Sequence, residues 1–162
     1  MTFQKRFYIS ILLAAFLFSC TKEQVGKNAD NRPTIPVTIQ NAMAYRPDPT
    51  VSSSKSAGGA IQIILRIPAE SGRMIKEITK VAANTTYTQI QSSGSTGFYN
   101  AAPIPASGTT ATFTTTLAEY VTKASGTIPA SNNELAKRFY FLLTLDDGST
   151  IVTTSVRVLV LD

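Results

Sequence analysis

Phe139-Tyr140-Phe141-Leu142-Leu143-Thr144-Leu145 runs into Asp146-Asp147-Gly148-Ser149, and the chain then returns from Thr150 to Leu161. This stretch decides the fold. Phe139, Phe141, Leu143 and Leu145 alternate with Tyr140, Leu142 and Thr144, the period of a half-buried strand. Asp-Gly between two apolar runs marks a hairpin, because a primed turn needs positive φ at its centre. On the return, Val156, Val158 and Val160 share one face, and Arg157, Leu159 and Leu161 share the other. Apolar side chains on both faces predict a central or covered strand.

Upstream the same pattern recurs in short segments rich in Ile, Val, Thr, Tyr and Phe, separated by Gly, Pro, Ser and Asn. Thr34 to Gln40 places Ile35, Val37 and Ile39 on one side, with Pro36 confining it to an edge. Ala60 to Ile67 reads as an inner strand ended by Pro68-Ala69-Glu70-Ser71-Gly72. Thr85 to Gln91 is expected to be a strand closed by the turn at residues 92–97. Thr109 to Leu117 puts Ala111, Phe113, Thr115 and Leu117 on one face, and Leu117-Ala118-Glu119-Tyr120 suits one helical turn.

Gly72 to Asn84 supports two readings. Ile75, Ile78 and Val81 stand three apart, with Ser71 in place to cap a helix, yet Ile75, Glu77, Thr79 and Val81 also alternate. The β-branched residues weigh toward a strand. Roughly seven short strands with turn signals between them predict an all-β chain forming a single antiparallel β-sandwich.

The closing hairpin resembles the last two strands of immunoglobulin-like or fibronectin-III-like modules in bacterial surface lipoproteins. The resemblance implies an immunoglobulin-like sandwich over residues 34–162. The paired cysteines and core tryptophan of antibody domains are missing, since the chain has one Cys and no Trp, so the architecture alone is implied.

At the other end, Lys5 and Arg6 precede an apolar run from Phe7 to Phe18, the order of a secretory signal. A transmembrane helix needs about 20 apolar residues, more than this run offers. The run ends at Leu17-Phe18-Ser19-Cys20, with a small residue before the one cysteine of the chain. That arrangement resembles the lipobox of bacterial lipoproteins. The resemblance implies cleavage of residues 1–19 and acylation of Cys20, which holds the mature chain on a membrane. One acyl chain binds only marginally, so durable anchoring takes several.

Residues 20–33 are polar and without period, as expected of a flexible tether. Lys22-Glu23 resembles the charged export signals of Bacteroidota-type surface lipoproteins, and reads equally as a solvated linker pair. The expected location is the cell envelope, at the outer membrane, with the periplasmic and surface faces both open.

Composition removes much chemistry. The 162 residues contain no His, which excludes imidazole bases, His-dependent triads and the usual zinc sites. One Cys excludes an internal disulfide. Loss of residues 1–19 removes Lys5 and Arg6 and no acid, lowering the formal charge from +5 to +3. The remaining basic residues are dispersed, so no nucleic-acid footprint is expected. Gly94-Ser95-Thr96-Gly97 lacks nucleophile-elbow spacing, and Gly58-Gly59 is loop punctuation rather than a phosphate cradle. Carboxylates are scattered, and Asp146-Asp147 alone falls short of the six or more oxygens calcium takes. Asn84-Thr85-Thr86 matches a glycosylation acceptor of a eukaryotic pathway, which a bacterial lipobox makes irrelevant.

No catalytic, metal or cofactor-binding residue is expected, and no cofactor. The expected function is a lipid-anchored, non-catalytic binding module for a glycan or an envelope protein. The competing expectation is a structural, adhesive or pilus-type subunit assembling through strand edges. Phe98 and Tyr99 are the candidate ligand-binding residues, because aromatic rings beside a Gly/Ser-rich turn suit sugar stacking. The same rings also suit core packing or loop anchoring, as do Tyr45 and Tyr120.

Overall fold

The alternation in residues 139–161 becomes a hairpin whose second arm changes partners. A computed structural model describes residues 33–162 apart from Arg46, Ser95 and Ser107. The signal segment, the lipobox at Leu17, Phe18, Ser19 and Cys20, and the tether as far as residue 32 lie outside the described residues. Among the described residues, ten strands form three sheets, with one α-helix.

The first sheet runs β1 (Thr38–Ile39), β3 (Ala60–Arg66), β6 (Thr110–Thr116), antiparallel throughout. The second runs β2 (Thr50–Ser54), β10 (Arg157–Leu161), β7 (Asn133–Glu134). Here β2 lies parallel to β10 and β7 antiparallel. The third runs β5 (Ile104–Pro105), β4 (Ile75–Asn84), β8 (Arg138–Leu145), β9 (Thr150–Val152).

β8 and β9 are the expected hairpin. At residues 153–155 the return leaves the ladder, and the Phe139–Val156 bridge then ties β10 to the start of β8 through hydrogen bonds of 2.9 and 2.8 Å. β10 thus lies between β2 and β7, a central strand as its two apolar faces predict.

The segment with two readings is β4, and its three-residue spacing has a strand explanation. Ile75, Ile78 and Val81 stand opposite Leu145, Leu143 and Phe141, partners only two apart. Register shifts between Ile75 and Glu77 and between Ile78 and Lys80 insert an extra residue each time. Two successive bulges convert the period of a strand into a spacing that imitates a helix.

Other expectations change. Thr85 to Gln91 forms bends and a turn instead of a strand. Both sides of β4, the strand it leaves, are already paired: β8 holds one, while β5 and the Tyr99 amide bond to the other. Ile90 packs instead on Ala82 and Tyr140, making a small second core on the outer face of the sheet. The count of about seven strands becomes ten partly because β2, Thr-Val-Ser-Ser-Ser, offers almost no apolar alternation. Its backbone pairing with β10 makes it a strand. The strand expected over Thr34 to Gln40 shortens to β1, after which the Asn41 carboxamide bonds the Ile64 amide and the Gln62 carbonyl in place of backbone.

The helical turn after β6 extends to α1 (Leu117–Ala124). Thr116 caps it by accepting from the Glu119 amide at 3.1 Å, and the Thr-x-x-Glu spacing is that of a capping box. α1 buries Leu117, Tyr120 and Ala124. Its ring at Tyr120 joins an aromatic core in which Phe113 sits 5.5 Å from Phe139 and 5.4 Å from Phe141, centroid to centroid. Gly59 at φ +68° lets the chain turn into β3, where its carbonyl accepts from the Leu117 amide at 2.8 Å.

Candidate functional site

Asn100 organises the segment that carries Phe98 and Tyr99. Its carboxamide accepts from the Val81 amide at 2.6 Å and donates to the carbonyls of Thr79 and Ala102, while the Tyr99 amide donates to the Val81 carbonyl. This pins the chain along the edge of β4 and aims the two neighbouring rings in different directions.

Tyr99 points inward and is 6% exposed. Its ring meets Phe113 and Phe139 edge-on at 5.7 and 5.4 Å. Its hydroxyl lies 2.6 Å from the Thr115 hydroxyl, which donates to a Glu119 carboxylate oxygen, also at 2.6 Å. Thr115 having spent its proton on Glu119, Tyr99 is the donor to Thr115. Burial pushes the Tyr99 phenol above its usual range, and the Glu119 charge adds to this. The Thr115 hydrogen bond, followed by Lys123, holds the Glu119 carboxyl below the usual carboxylate range. Most of the Tyr99 ring is therefore structural, with no open face for stacking a sugar.

Phe98 is half-buried against the outer-face cluster of Ala82, Ile90 and Tyr140. The Lys80 ammonium lies 4.8 Å from its ring centroid and donates to the Ser92 and Gly94 carbonyls at 2.8 and 3.1 Å. Lys80 covers the exposed side of the ring and closes the turn, which is loop anchoring. Tyr120 is fully buried, and Tyr45 is 55% exposed with its hydroxyl bonded to the Ile39 carbonyl at 2.6 Å.

Tyr99 nonetheless helps line a cleft of about 140 Å³ at the C-terminal end of α1, shared with Asn84, Gln89, Lys123, Ser125 and Lys137. Ser125 adopts φ 49° to end the helix. Lys137 donates its ammonium to the Ala124 carbonyl, a group that helix geometry leaves unpaired. Its backbone amide donates to the Tyr120 hydroxyl at 3.0 Å. Lys123 stands 3.3 Å from Glu119 and 5.1 Å from the Tyr99 ring centroid. Gln89 bonds the Gly97 carbonyl, joining the far wall to the turn.

The lining includes two lysines, two carboxamide residues and a serine, and no carboxylate is among the lining residues. Drug-sized ligands occupy about 300–1,000 Å³, so this volume suits one sugar ring or a single anionic group. Among the described residues, no three of His, Cys, Asp and Glu come together to hold a metal. Asp146 and Asp147 face Arg73, at 3.0 and 2.6 Å. Among the same residues no helix is long and apolar enough to cross a membrane.

Of the residues lining the cleft, Tyr99 alone was a candidate from the sequence. Asn84, Lys123 and Lys137 lie on different elements with no local motif joining them. The one readable signal was Thr116-x-x-Glu119, which fixes where α1 starts and so places Lys123. No family model matches the chain, and neither a curated protein nor a solved structure is significantly similar to it.

Proposed function

We propose that the mature chain is a lipid-anchored protein of the bacterial cell envelope whose β-domain is a non-catalytic binding module of immunoglobulin-like architecture. The anchor rests on the Leu17-Phe18-Ser19-Cys20 motif behind a basic start and an apolar run. Immunoglobulin-like architecture is supported by the pairing order. β1, β3 and β6 correspond to strands A, B and E, while β4, β8 and the β9–β10 return correspond to C, F and G.

The observation that carries the binding role is the cleft beside α1. Lys123 and Lys137 give it positive charge, and Asn84, Gln89 and Ser125 give it hydrogen-bonding groups suited to hydroxyls and carboxylates. The ligand class this fits is a glycan bearing an acidic sugar, or an acidic side chain of an envelope partner. Neither histidine nor carboxylate lines the cleft, and the two lysines are engaged with Glu119 and the Ala124 carbonyl, which supports binding over hydrolysis there.

Binding of the purified protein to an array of acidic and neutral glycans tests the reading. Lys123→Met and Lys137→Met should each weaken binding to acidic glycans while leaving the melting temperature of the domain within a few degrees. Equal binding by wild type and both variants, or preference for neutral glycans, removes the cleft from the account. Labelled palmitate should enter the wild type and not Cys20→Ala, and equal incorporation would defeat the anchor.

A further inference from the structure

Sheet edges in soluble proteins are kept from pairing by short length, proline, charge or bulges. Most edges here follow that rule. β1 has two residues and follows Pro36, β5 has two and contains Pro105, β7 has two and contains Glu134, and β9 has three. β2 is longer, but its outer side is occupied at both ends. The Thr50 amide donates to Ala44, the Thr50 carbonyl accepts from Met43, and the Ser54 carbonyl accepts from Gly59, each at 2.8 Å.

β6 is different. It has seven residues, Thr-Ala-Thr-Phe-Thr-Thr-Thr, with no charge and no proline. Its ladder with β3 runs from Thr110 to Thr116 without a register shift. The Thr109 carbonyl and the Leu117 amide both bond toward β3, to Ile67 and Gly59. Alternation along an antiparallel ladder then turns the backbone groups of Ala111, Phe113 and Thr115 inward and those of Thr110, Thr112, Thr114 and Thr116 outward. Among the described residues nothing pairs with the outward groups of Thr112 and Thr114, whose side chains are exposed, while the Thr116 carbonyl opens the helix as its N-cap.

We infer that the free edge of β6 pairs antiparallel with β6 of a second copy of this chain, joining the two β1–β3–β6 sheets into one. The charge pattern selects the second copy. A strand paired antiparallel with itself sets each residue against the one equally far on the other side of the twofold axis, and along this uncharged row no such pair brings like charges together. The outward groups also lie symmetrically about Phe113, so a twofold axis there sets Thr112 opposite Thr114 of the second copy, with both as hydrogen-bonded pairs. Threonine against threonine is a favourable cross-strand pairing. The inference is independent of the cleft and of the anchor, and gives the strand-edge role a definite element and register.

Sedimentation of the full-length protein in detergent tests it. Wild type should form a concentration-dependent dimer, and Thr112→Lys and Thr114→Lys, combined in one chain so that lysine faces lysine at both pairs, should weaken it by about tenfold or more. Melting curves establish that these exposed substitutions leave the fold intact. Should the doubly substituted chain fail to fold, cysteines decide the matter. With Cys20→Ser removing the native thiol, a mixture of Thr112→Cys and Thr114→Cys proteins should oxidise to a heterodimer faster than either alone. Directly opposed Cα atoms lie about 5.5 Å apart, within disulfide range, whereas diagonal ones lie roughly 7–8 Å apart. A wild-type monomer at every concentration overturns the inference, as does a dimer indifferent to the lysines or equal cross-linking in all mixtures. A monomer whose Thr112 and Thr114 amides resist hydrogen exchange would mean that the chain's own residues cover the edge, and overturns it as well.

Discussion

Gly126 lies flat against the ring of Tyr120, so close that a β-carbon there would overlap the ring and come within 2.8 Å of its hydroxyl oxygen. Tyr120 cannot withdraw, because it is fully buried beside Phe139 and its hydroxyl accepts the Lys137 amide at 3.0 Å. Gly126→Ala is therefore expected to destabilise the domain by about 1–3 kcal/mol, the usual cost of overpacking. Thermal melting measures this, at roughly 3–6 °C per kcal/mol for a domain of this size. Tyr120→Leu alone should also destabilise, but the double variant should lose less than the sum of the two.

The bulged strand β4 makes a residue-specific prediction. Ile78 is fully buried opposite Leu143, whereas Lys76 is exposed two residues earlier. Ile78→Ala should cost about 2–5 kcal/mol in chemical denaturation. Lys76→Ala should stay within about 0.5 kcal/mol. Similar costs at both positions would contradict the bulged register.

Acid stability should depend on two carboxylates. The Met74 amide, with help from Arg73, holds Asp146 below the usual carboxylate range, against an opposing effect of burial. Glu119 is lowered by Thr115 and then Lys123. Folded values below unfolded ones mean that both groups stabilise the protein above the unfolded range, and that the contribution fades as pH falls through the folded values. Melting temperature should thus fall as pH drops below about 4, and Asp146→Asn and Glu119→Gln should each flatten that descent. Unchanged slopes in both variants would show that the acid transition lies elsewhere.

Asp48 holds two cations. Its carboxylate lies 3.0 Å from Arg138 and 3.4 Å from Arg157, and Arg157 also reaches Glu134 at 2.5 Å. The group ties the loop before β2 to β8, β10 and β7. Asp48→Ala leaves two partly buried guanidiniums near each other, and should cost more than the ~1 kcal/mol of an exposed pair. Denaturation at low and high salt distinguishes the cases, because an exposed pair loses its effect in salt and this network should keep much of it.

The strands that pack by side-chain burial were legible from residue order. In β3, β6 and β8 the apolar residues alternate, and each lies where its period predicts, as Ile61, Ile63 and Leu65 do. The Asp-Gly hairpin was legible as well, but its turn was not the primed one expected: the loop has three residues, and positive φ falls on Gly148 alone, at 82°. The central position of β10 followed from its two apolar faces.

Whatever depends on partners distant in the chain was decided by tertiary structure. β2 is a strand because β10, more than a hundred residues later, supplies its hydrogen bonds, and Val-Ser-Ser-Ser carries no period that announces this. Thr85 to Gln91 was expected as a strand, but both sides of β4, which it leaves, are taken, and it folds over the outer face instead. The helical spacing of Ile75, Ile78 and Val81 became a doubly bulged strand only when set against Leu145, Leu143 and Phe141. Phe98 and Tyr99 were equivalent as residues, and one hydrogen-bonded segment sent one ring inward and left the other half-covered. Local pattern reports which residues seek burial, while the choice of partner, edge and cleft follows from which elements the whole chain brings together.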